Sequence, residues 1–444
     1  MKGWQKVFGV LLVVLLIGYR FLGLEHMSLW IDEGASWWRI QKGIFTYEAN
    51  LPPLYFLLAW PLVKGFGTDW ALRLPAALAG AGSILAGAYL AKTLRINWRK
   101  TVLLLGLSPW ILWYSQEARP YSLVMLLVPL AILAFLKGRT WLSGVLWGLA
   151  LWAHYISGAP LVALWLTHWK DRKNLLKTTG VGLAIFTPWL LYSLTQYSRP
   201  MATRGPIEDI LAAAYSPFVY FFGYTLGPSL AEIRLRQISP LDIGLVVLGF
   251  GVIVIALWEA KKEKDLLIWI SVPVLLFLFL SIVHPKLSFH FRYAAVSGVF
   301  LIMAAAKAPW MRLAPLIILN LIADYNFFFN KKYFKEDIRA AASVIRKERK
   351  EGEPLLLCSG SVAPALERYY SPSPPYWGMN WGKALKELEG EKVWVLWARV
   401  WEVPKEKIRS TLDSKHYKPL KHWQLTNARV ELWELTPAER PPSQ

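Results

Sequence analysis

Charged residues are scarce in this chain: Asp, Glu, Lys and Arg make up 18% of its 444 residues, below the roughly 25% usual in soluble domains. Cysteine is scarcer still, and the single Cys358 can form no internal disulfide. Hydrophobic residues, by contrast, reach 55% of the chain. This composition excludes a disordered chain, a small disulfide scaffold and an ordinary cytosolic enzyme.

Acidic residues are the rarer of the two charges, 30 against 50 Lys and Arg, so the formal net charge is +20. Such an excess suggests nucleic acid at first sight. Basic cytoplasmic loops are the simpler cause in a membrane protein, because positive charge accumulates on the inner side of the bilayer. We therefore predict that the protein lies in a lipid bilayer and that it has no nucleic-acid partner.

Long apolar runs recur through the first three quarters of the sequence. A helix needs about 20 mostly apolar residues to cross a bilayer. The predicted spans, about eleven in number, lie near residues 7–24, 71–91, 101–114, 121–136, 141–153, 156–169, 178–195, 241–258, 266–283, 293–306 and 313–327. The first span follows Lys2 and Lys6 and resembles a signal peptide, but no small-x-small cleavage site follows it, so we expect an uncleaved anchor.

The basic residues predict the orientation of these spans. If the N-terminus is cytoplasmic, the inner connections carry the following Lys and Arg residues: Lys2, Lys6, Lys92, Arg95, Arg99, Lys100, Lys137, Arg139, Lys170, Arg172, Lys173, Lys177, Lys261, Lys262, Lys264, Lys307 and Arg312. The apolar stretch 211–230 is broken by prolines and glycines, and counting it as a span would reverse every later loop. We interpret it as an interfacial segment.

The last quarter of the chain has a different composition. Residues 331–444 are rich in Lys and Glu and contain no run of span length. Lys335–Glu351 has the pattern of an amphipathic helix, and three segments beginning at Pro354, Lys392 and Val430 read as strands. The sequence thus predicts a polytopic helical membrane domain at 1–330, with a long outer loop at 25–70, and a small extracytoplasmic α/β domain at 331–444.

The first candidate site follows the first span. Asp32 and Glu33 are adjacent carboxylates among tryptophans typical of the membrane interface, where acids are costly unless hydrated, paired or used. The alternative is a solvated helix start, favoured by the helix dipole. Glu48 and Asn50 follow in the same loop, ahead of a rigid Pro-Pro pair.

The second candidate site lies on a short outer turn. It combines phenols, an amide, an acid and a base, which are Tyr114, Gln116, Glu117, Arg119 and Tyr121. An arginine suits a phosphate, because its guanidinium is always charged and donates in a fork. A Glu117–Arg119 ion pair that locks the turn is the alternative, and both readings can hold together.

Two further outer connections carry candidate residues. His154 and Tyr155 form one of them, although a lone histidine is more often structural. The loop that enters the tenth span contains His284, Lys286, His290, Arg292 and Tyr293. Its positive charge breaks the rule for outer loops, and an anionic headgroup at that surface would explain it. Neutralisation of the acids of the other loops is the alternative.

Together these groups suit glycosyl transfer from a lipid phosphate. A carboxylate accepts the proton of the acceptor hydroxyl, and cations stabilise the departing phosphate. We therefore expect Asp32, Arg119 and Arg292 to converge around one cavity. The competing classes are a transporter or flippase for a lipid-phosphate substrate, which would more often show repeated halves and broken midplane helices, and an envelope assembly protein.

Four segments resemble the GT-C superfamily of membrane glycosyltransferases. They are Leu29-Trp-Ile-Asp-Glu-Gly-Ala, Asn50-Leu-Pro-Pro-Leu-Tyr-Phe, Ala71-Leu-Arg-Leu-Pro-Ala-Ala-Leu-Ala-Gly and Tyr114-Ser-Gln-Glu-Ala-Arg-Pro-Tyr-Ser-Leu. Within that superfamily they resemble the RgtA/B/C/D-like and protein O-mannosyltransferase branch, related to the aminoarabinose transferases of lipid A. Lys286 through Tyr293 is similar to the late outer-loop signature of that branch. Lys335-Glu-Asp-Ile-Arg-Ala-Ala-Ala resembles the opening of its extracytoplasmic domain.

The resemblance implies an enzyme that transfers a sugar from a polyprenyl-phosphate sugar to a glycan, lipid or protein acceptor, with inversion, outside the cytoplasmic membrane. It implies Asp32 as general base or acceptor-orienting acid, supported by Glu33. It makes Arg119, Lys286 and Arg292 candidates for the lipid phosphate, and Tyr293 for lining the site.

Two positions depart from the pattern of the family. Asn50 replaces a frequent histidine before the Pro-Pro pair, which weakens any metal or proton-donor role there, and Ile338 replaces a tryptophan. Some relatives bind a divalent metal through loop carboxylates. Because no motif here has the His/Asp/Glu spacing of a metal site, no cofactor is assigned and the metal is left open.

Overall fold

The computed structural model describes residues 3–45, 51–195, 205–284, 287–371, 376–377, 386, 388–402 and 405–436. In chain order its α-helices are α1 (Gly3–Gly18), α2 (Ile31–Lys42), α3 (Leu54–Phe66), α4 (Asp69–Thr93), α5 (Trp98–Gly106), α6 (Pro109–Ser115), α7 (Tyr121–Leu136), α8 (Thr140–Ala153), α9 (Gly158–Thr167), α10 (Arg172–Leu194), α11 (Pro206–Phe222), α12 (Leu230–Leu235), α13 (Pro240–Leu257), α14 (Lys264–Val283), α15 (Ala295–Ala305), α16 (Trp310–Phe329), α17 (Ile338–Glu348), α18 (Ala363–Tyr369) and α19 (Lys405–Ser414). Its strands are β1 (Leu355–Leu357), β2 (Tyr376–Trp377), β3 (Lys392–Ala398), β4 (Tyr417–Leu425) and β5 (Ala428–Leu435).

The contacts divide the chain into two compact units. The helical unit comprises Met1–Leu24, Gly43–Pro228 and Ile238–Phe329. The α/β unit comprises Glu25–Lys42, Ser229–Gln237 and Asn330–Gln444. Two pieces of the first 330 residues, including the helix that carries Asp32, therefore fold with the C-terminal residues. The extracytoplasmic placement of residues 331–444 stays a prediction.

Apolar helices dominate the helical unit. Within the described residues, five helical segments are long and apolar enough to cross a bilayer: Asp69–Thr93, Trp169–Leu194, Pro240–Lys262, Lys264–Val283 and Trp310–Phe329. Others, such as α7 and α8, are apolar but have 16 and 14 residues. The predicted multi-pass membrane protein is supported, while the predicted count of about eleven spans is not confirmed.

Small residues bring α8 and α10 close together. A Cβ atom added to Gly144 would lie 2.6 Å from Cβ of Val181, and one added to Gly148 would lie 2.7 Å from Cβ of Ile185. Glycines four positions apart share one face of a helix, and such faces let two helices pack closely in a membrane. This pair holds the helix that ends at His154 against its neighbour.

The stretch predicted as interfacial is a continuous helix over most of its length. Helix α11 runs through Pro217 and ends at Gly223, whose φ of 62° is in the left-handed region that glycine adopts without strain. Its buried residues include Ser216 and Tyr220. The Tyr220 hydroxyl donates to the Phe291 backbone oxygen at 3.1 Å, so α11 supports the segment that carries Arg292.

The α/β unit has a five-stranded sheet in the order β2-β1-β3-β5-β4. Strands β2, β1 and β3 are parallel, whereas β5 is antiparallel to both β3 and β4. Alternation along β3 separates the two faces: Trp394 and Leu396 pack in the core with α17 and α18, and Val393 and Val395 pack in the core with α19. The amphipathic helix and the three strands predicted from the sequence are all present.

Candidate functional site

The turn between α6 and α7 holds the second predicted site. Ser108 caps α6 by accepting a hydrogen bond from the Ile111 backbone N–H, and Pro109 fits the first turn because its missing N–H has no helical partner there. The turn closes where the Arg119 backbone N–H donates to the Glu117 backbone oxygen at 2.6 Å. Every residue from Ile111 to Met125 is buried, so this polar turn lies inside the helical unit.

Two side chains of the turn have contacts that fix it. The Glu117 carboxylate, 1% exposed, accepts a hydrogen bond from the Trp113 indole at 2.8 Å. The Gln116 amide donates to the backbone oxygens of Leu22 at 2.7 Å and Arg20 at 3.2 Å. Because the amide of Gln116 is directed at backbone carbonyls, its contacts favour a supporting role over the predicted contact with substrate.

A series of aromatic rings runs through the site. The hydroxyls of Tyr114 and Tyr224 lie 3.0 Å apart. Ring centroids are 5.0 Å apart for Tyr114 and Tyr121, and 5.5 Å apart for Tyr121 and His154. The structure thus brings three of the predicted residues together, from the 108–122 segment and the 154–155 connection.

Arg292 contacts the same group of aromatic rings. Its guanidinium carbon lies 5.8 Å from the Tyr121 ring centroid and 6.0 Å from that of Tyr293, within the range of a cation–π contact. Stacking uses the flat face of a guanidinium and leaves its geometry suited to donating hydrogen bonds in its own plane. The segment before α15 therefore places Arg292 and Tyr293 next to Tyr121.

His154 lies among these groups as a neutral imidazole. Its Nδ1 accepts a hydrogen bond from the Ile156 backbone N–H at 3.3 Å, which places the ring proton on Nε2. Burial lowers the pKa of His154 to about 3, and the positive charges of Arg119 and Arg292 act in the same direction. Nε2 is buried and has no hydrogen-bond partner within the described part of the chain.

Tyr155 has a partner of its own. Its hydroxyl accepts a hydrogen bond from the Trp189 indole at 2.8 Å, and its ring lies 6.0 Å from that of Phe186. Both partners are on α10. These contacts tie the connection after α8 to its neighbouring helix, so Tyr155 supports the position of His154.

The first predicted site belongs to the α/β unit. Asp32 and Glu33 occupy the first turn of α2, where the helix dipole favours acidic residues. Asp32 is partly exposed, and its backbone oxygen accepts a hydrogen bond from Ser36 Oγ at 3.1 Å. Glu33 is fully buried, and its Oε2 lies 3.3 Å from Nζ of Lys335. Glu48, Asn50 and Lys286 lie outside the described residues.

Three residues that contact the predicted site residues were not identified from the sequence. Tyr224 bonds to Tyr114, Trp113 donates to Glu117, and Lys335 pairs with Glu33. Tyr224 lies within the stretch interpreted as interfacial. The glycines and the proline around it indicate a turn, and this was the sequence signal that could have identified Tyr224. Trp113 sits four residues before Glu117, a helical spacing that brings side chains together.

The site can hold an anion through hydrogen-bond donors whose charge does not change near neutral pH. Arg119 and Arg292 are cations, and His154 offers a neutral N–H donor. Among the described residues, no group of three or more His, Cys, Asp or Glu side chains is arranged to hold a metal ion. The arrangement therefore fits a phosphate bound by nitrogen donors beside aromatic rings.

Comparisons with known proteins agree with this fold. The sequence matches no protein-family model and no curated protein. The structure is similar to that of ArnT from Cupriavidus metallidurans bound to undecaprenyl phosphate, with a TM-score of 0.54 at 14% sequence identity over 97% of this chain and 98% of that one. ArnT from the same organism in the apo state gives a TM-score of 0.49 at 15% identity, with the same coverage.

Proposed function

We propose, from the GT-C fold that this chain shares with ArnT, that the protein is a membrane glycosyltransferase with a polyprenyl-phosphate-linked sugar as its donor. The observation that carries the proposal is the convergence of Tyr121, His154 and Arg292, with the charge of Arg119 acting on the same imidazole. Nitrogen donors and aromatic rings together suit a phosphate that carries a lipid and a sugar.

The charge change of the reaction explains the arginines. A sugar linked to a polyprenyl phosphate leaves that phosphate with one negative charge, and release of the sugar leaves it with nearly two. Cations placed at the departing oxygen stabilise the transition state more than the bound donor, and this difference accelerates the reaction. Arg119 and Arg292 are proposed for this role, with Lys286, Tyr114 and Tyr293 as further residues of the donor site. Gln116 and Glu117 are proposed to hold the turn that carries Arg119.

The proposed base is Asp32. The acceptor hydroxyl gives its proton to the Asp32 carboxylate, and the acceptor oxygen forms a bond to the anomeric carbon. The bond from that carbon to the phosphate oxygen breaks, and its electron pair stays on the phosphate. Because attack and departure occur on opposite faces of the sugar, this single displacement inverts the anomeric carbon. Glu33 is proposed to support Asp32.

The proposed location follows from the charge pattern of the sequence. The transfer takes place on the outer face of the cytoplasmic membrane, with the N-terminus cytoplasmic and residues 331–444 extracytoplasmic. The acceptor is a hydroxyl of a glycan, a lipid or a protein. Basic residues at the predicted inner connections, such as Lys92 and Lys170, support this orientation.

The test is sugar transfer by the purified full chain in lipid nanodiscs, with radiolabelled undecaprenyl-phosphate sugars as donors and with lipid, polysaccharide and protein fractions as acceptors. We expect Asp32→Asn to lower the transfer rate roughly 10²–10⁴-fold, the range for loss of a general base. Its Tm and its affinity for undecaprenyl phosphate should stay unchanged. Glu25→Gln, an exposed acid of the same unit, is the matched control and should transfer sugar normally.

Two results would contradict the proposal. Full transfer by Asp32→Asn would remove Asp32 from the chemistry. Movement of undecaprenyl phosphate across the nanodisc or a proteoliposome bilayer, with no sugar passed to any acceptor fraction, would favour the transporter alternative.

A further inference from the structure

Helix α2 is built into the α/β unit by contacts with α18. The Leu29 backbone N–H donates to the Tyr369 hydroxyl at 2.8 Å, and the Trp38 indole donates to Glu367 Oε2 at 2.6 Å. Between these two points a Cβ atom added to Gly34 would lie 2.5 Å from the backbone nitrogen of Ala365. The segment before the helix, its first half and its second half are therefore all held by one element of the C-terminal part of the chain.

The start of α2 is held by a second element, the segment that leads into α17. Ser28 Oγ donates to the Glu336 backbone oxygen at 2.7 Å and accepts from the Ile338 backbone N–H at 3.0 Å. Ser28 is 5% exposed, so both bonds are shielded from water. They fix the backbone three residues before Ile31, where the helix begins.

Lys335 contacts the residues on both sides of Asp32. Its Nζ lies 3.3 Å from Glu33 Oε2 and 5.2 Å from the centroid of the Trp30 ring. Lys335 is 8% exposed and Glu33 is fully buried. A single ammonium thus joins the side chain before the helix to the third residue of the helix, and Asp32 lies between them in the sequence.

A buried ion pair is a poor source of stability, because removing both charges from water costs about as much as their attraction returns. Fixing one conformation is a better-attested use of such a pair. The pair here joins residues 302 positions apart, so it also sets where α2 lies on the domain. Because Glu33 is next to the partly exposed Asp32, the pair that sets the position of α2 also sets the position of the Asp32 carboxylate.

We propose that Lys335 is a positioning residue for Asp32, acting through Glu33 and Trp30. It holds the first turn of α2 in one orientation, so that the Asp32 carboxylate has a fixed direction. This inference rests on the proposed function of Asp32 and adds that the α/β unit is required for the chemistry. Lys335 itself takes no part in proton transfer or donor binding.

The experiment compares variants of the full chain in nanodiscs. We expect Lys335→Met and Glu33→Gln each to lower kcat by at least about tenfold, since a displacement of about 1 Å in a catalytic group costs up to 10²-fold. KM for the undecaprenyl-phosphate sugar should change less than about twofold. Lys335→Arg keeps the ion pair with Glu33 and should retain most of kcat.

The matched control is Glu431→Gln in the same unit. Glu431 is 1% exposed, and its Oε1 lies 2.9 Å from Arg429 Nε and 3.0 Å from Arg409 Nη2, so the change removes a buried and paired carboxylate away from α2. Its Tm should fall about as much as that of Glu33→Gln, with kcat unchanged. Hydrogen exchange of the amides of 31–42 should rise in Glu33→Gln and stay as in the wild type in Glu431→Gln.

The outcomes separate this inference from the proposed function. If Asp32→Asn is inactive while Glu33→Gln and Lys335→Met keep the kcat of the wild type, the positioning role is wrong and the base stands. Equal loss of kcat in Glu431→Gln would reduce the effect to stability and overturn the inference. If Asp32→Asn is fully active, both proposals fall. Unchanged exchange of α2 in both Glu33→Gln and Lys335→Met would overturn the positioning role without any assay of transfer.

Discussion

Buried carboxylates of the α/β unit lie within 4 Å of a lysine or an arginine, whereas the candidate site of the helical unit sets Arg292 and His154 against aromatic rings. Glu33 is 3.3 Å from Lys335, Glu336 is 3.8 Å from Arg399, and Glu431 is 3.0 Å from Arg409. In the helical unit, Arg292 and His154 both lie against Tyr121.

The two arrangements serve different purposes. When the two charges of a buried ion pair neutralise each other, the pair fixes the local geometry and leaves little charge to attract a ligand. A cation beside aromatic rings is attracted by the electron-rich faces of those rings, and low polarity in its surroundings strengthens its attraction for an anion. This difference supports the proposed positioning role for the paired charges of the α/β unit and the proposed anion recognition by the arginines of the helical unit.

The largest effect on lipid binding is expected when the arginines of the helical unit are removed. We expect Arg119→Ala to weaken the binding of undecaprenyl phosphate by roughly 2–5 kcal/mol, because the buried Arg119 loses a desolvated contact with the phosphate. Arg292→Ala should also weaken it, but by less, because Arg292 is partly exposed. Binding is measured by titration of the lipid into the protein in nanodiscs. Arg99→Ala removes the same charge at an exposed position of α5 and should bind the lipid as the wild type does. Unchanged affinity in both site variants would favour the ion-pair alternative for Arg119.

The sequence predicted the local pieces of the site better than their partners. Tyr114, Tyr121, His154 and Arg292 were all identified, because polar groups in short connections between apolar helices are costly unless used. The Glu33–Lys335 pair was not, since no local periodicity reports a contact between residues 302 positions apart. Both halves of that pair were nevertheless inside segments quoted for the family resemblance.

The fold shows a similar division. In the α/β unit, two buried apolar runs and one alternating segment predicted β1, β3 and β5, and amphipathic spacing predicted α17, whereas β2 and β4 were not predicted. The count of spans was harder, because a 14-residue apolar helix such as α8 has the hydropathy of a span without its length. The inclusion of α2 in the α/β unit was also missed, as it depends on tertiary packing of Gly34 against Ala365.

A glycine variant tests how strictly the α/β unit holds α2. Gly34→Ala places a methyl group 2.5 Å from the Ala365 backbone nitrogen, and neither backbone can move without disturbing its helix. We expect a loss of about 1–3 kcal/mol in unfolding free energy, the usual cost of overpacking, seen as a lower Tm. Gly180→Ala on α10 meets nothing within 4 Å and should leave the Tm unchanged or slightly raised. Equal Tm values for the two variants would show that α2 is loosely held.

The smallest expected effect concerns His154 and acid. Its pKa is about 3 in the folded protein and near 6.5 in the unfolded chain, so below pH 6.5 the unfolded chain binds the additional proton. Stability is therefore level above pH 6.5 and falls as the pH drops toward 3, by about 1 kcal/mol at pH 5.5. His154→Gln keeps an N–H donor without a titrating ring and should lose less stability than the wild type between pH 7 and 5.5, measured by Tm in nanodiscs. Parallel Tm curves for the two proteins would mean that the pKa of His154 is the same in the folded protein as in the unfolded chain. The neutral donor assigned to the site beside Arg119 and Arg292 would then become a third cation below about pH 6.5, and the aromatic cluster would carry more positive charge in acid than its contacts indicate.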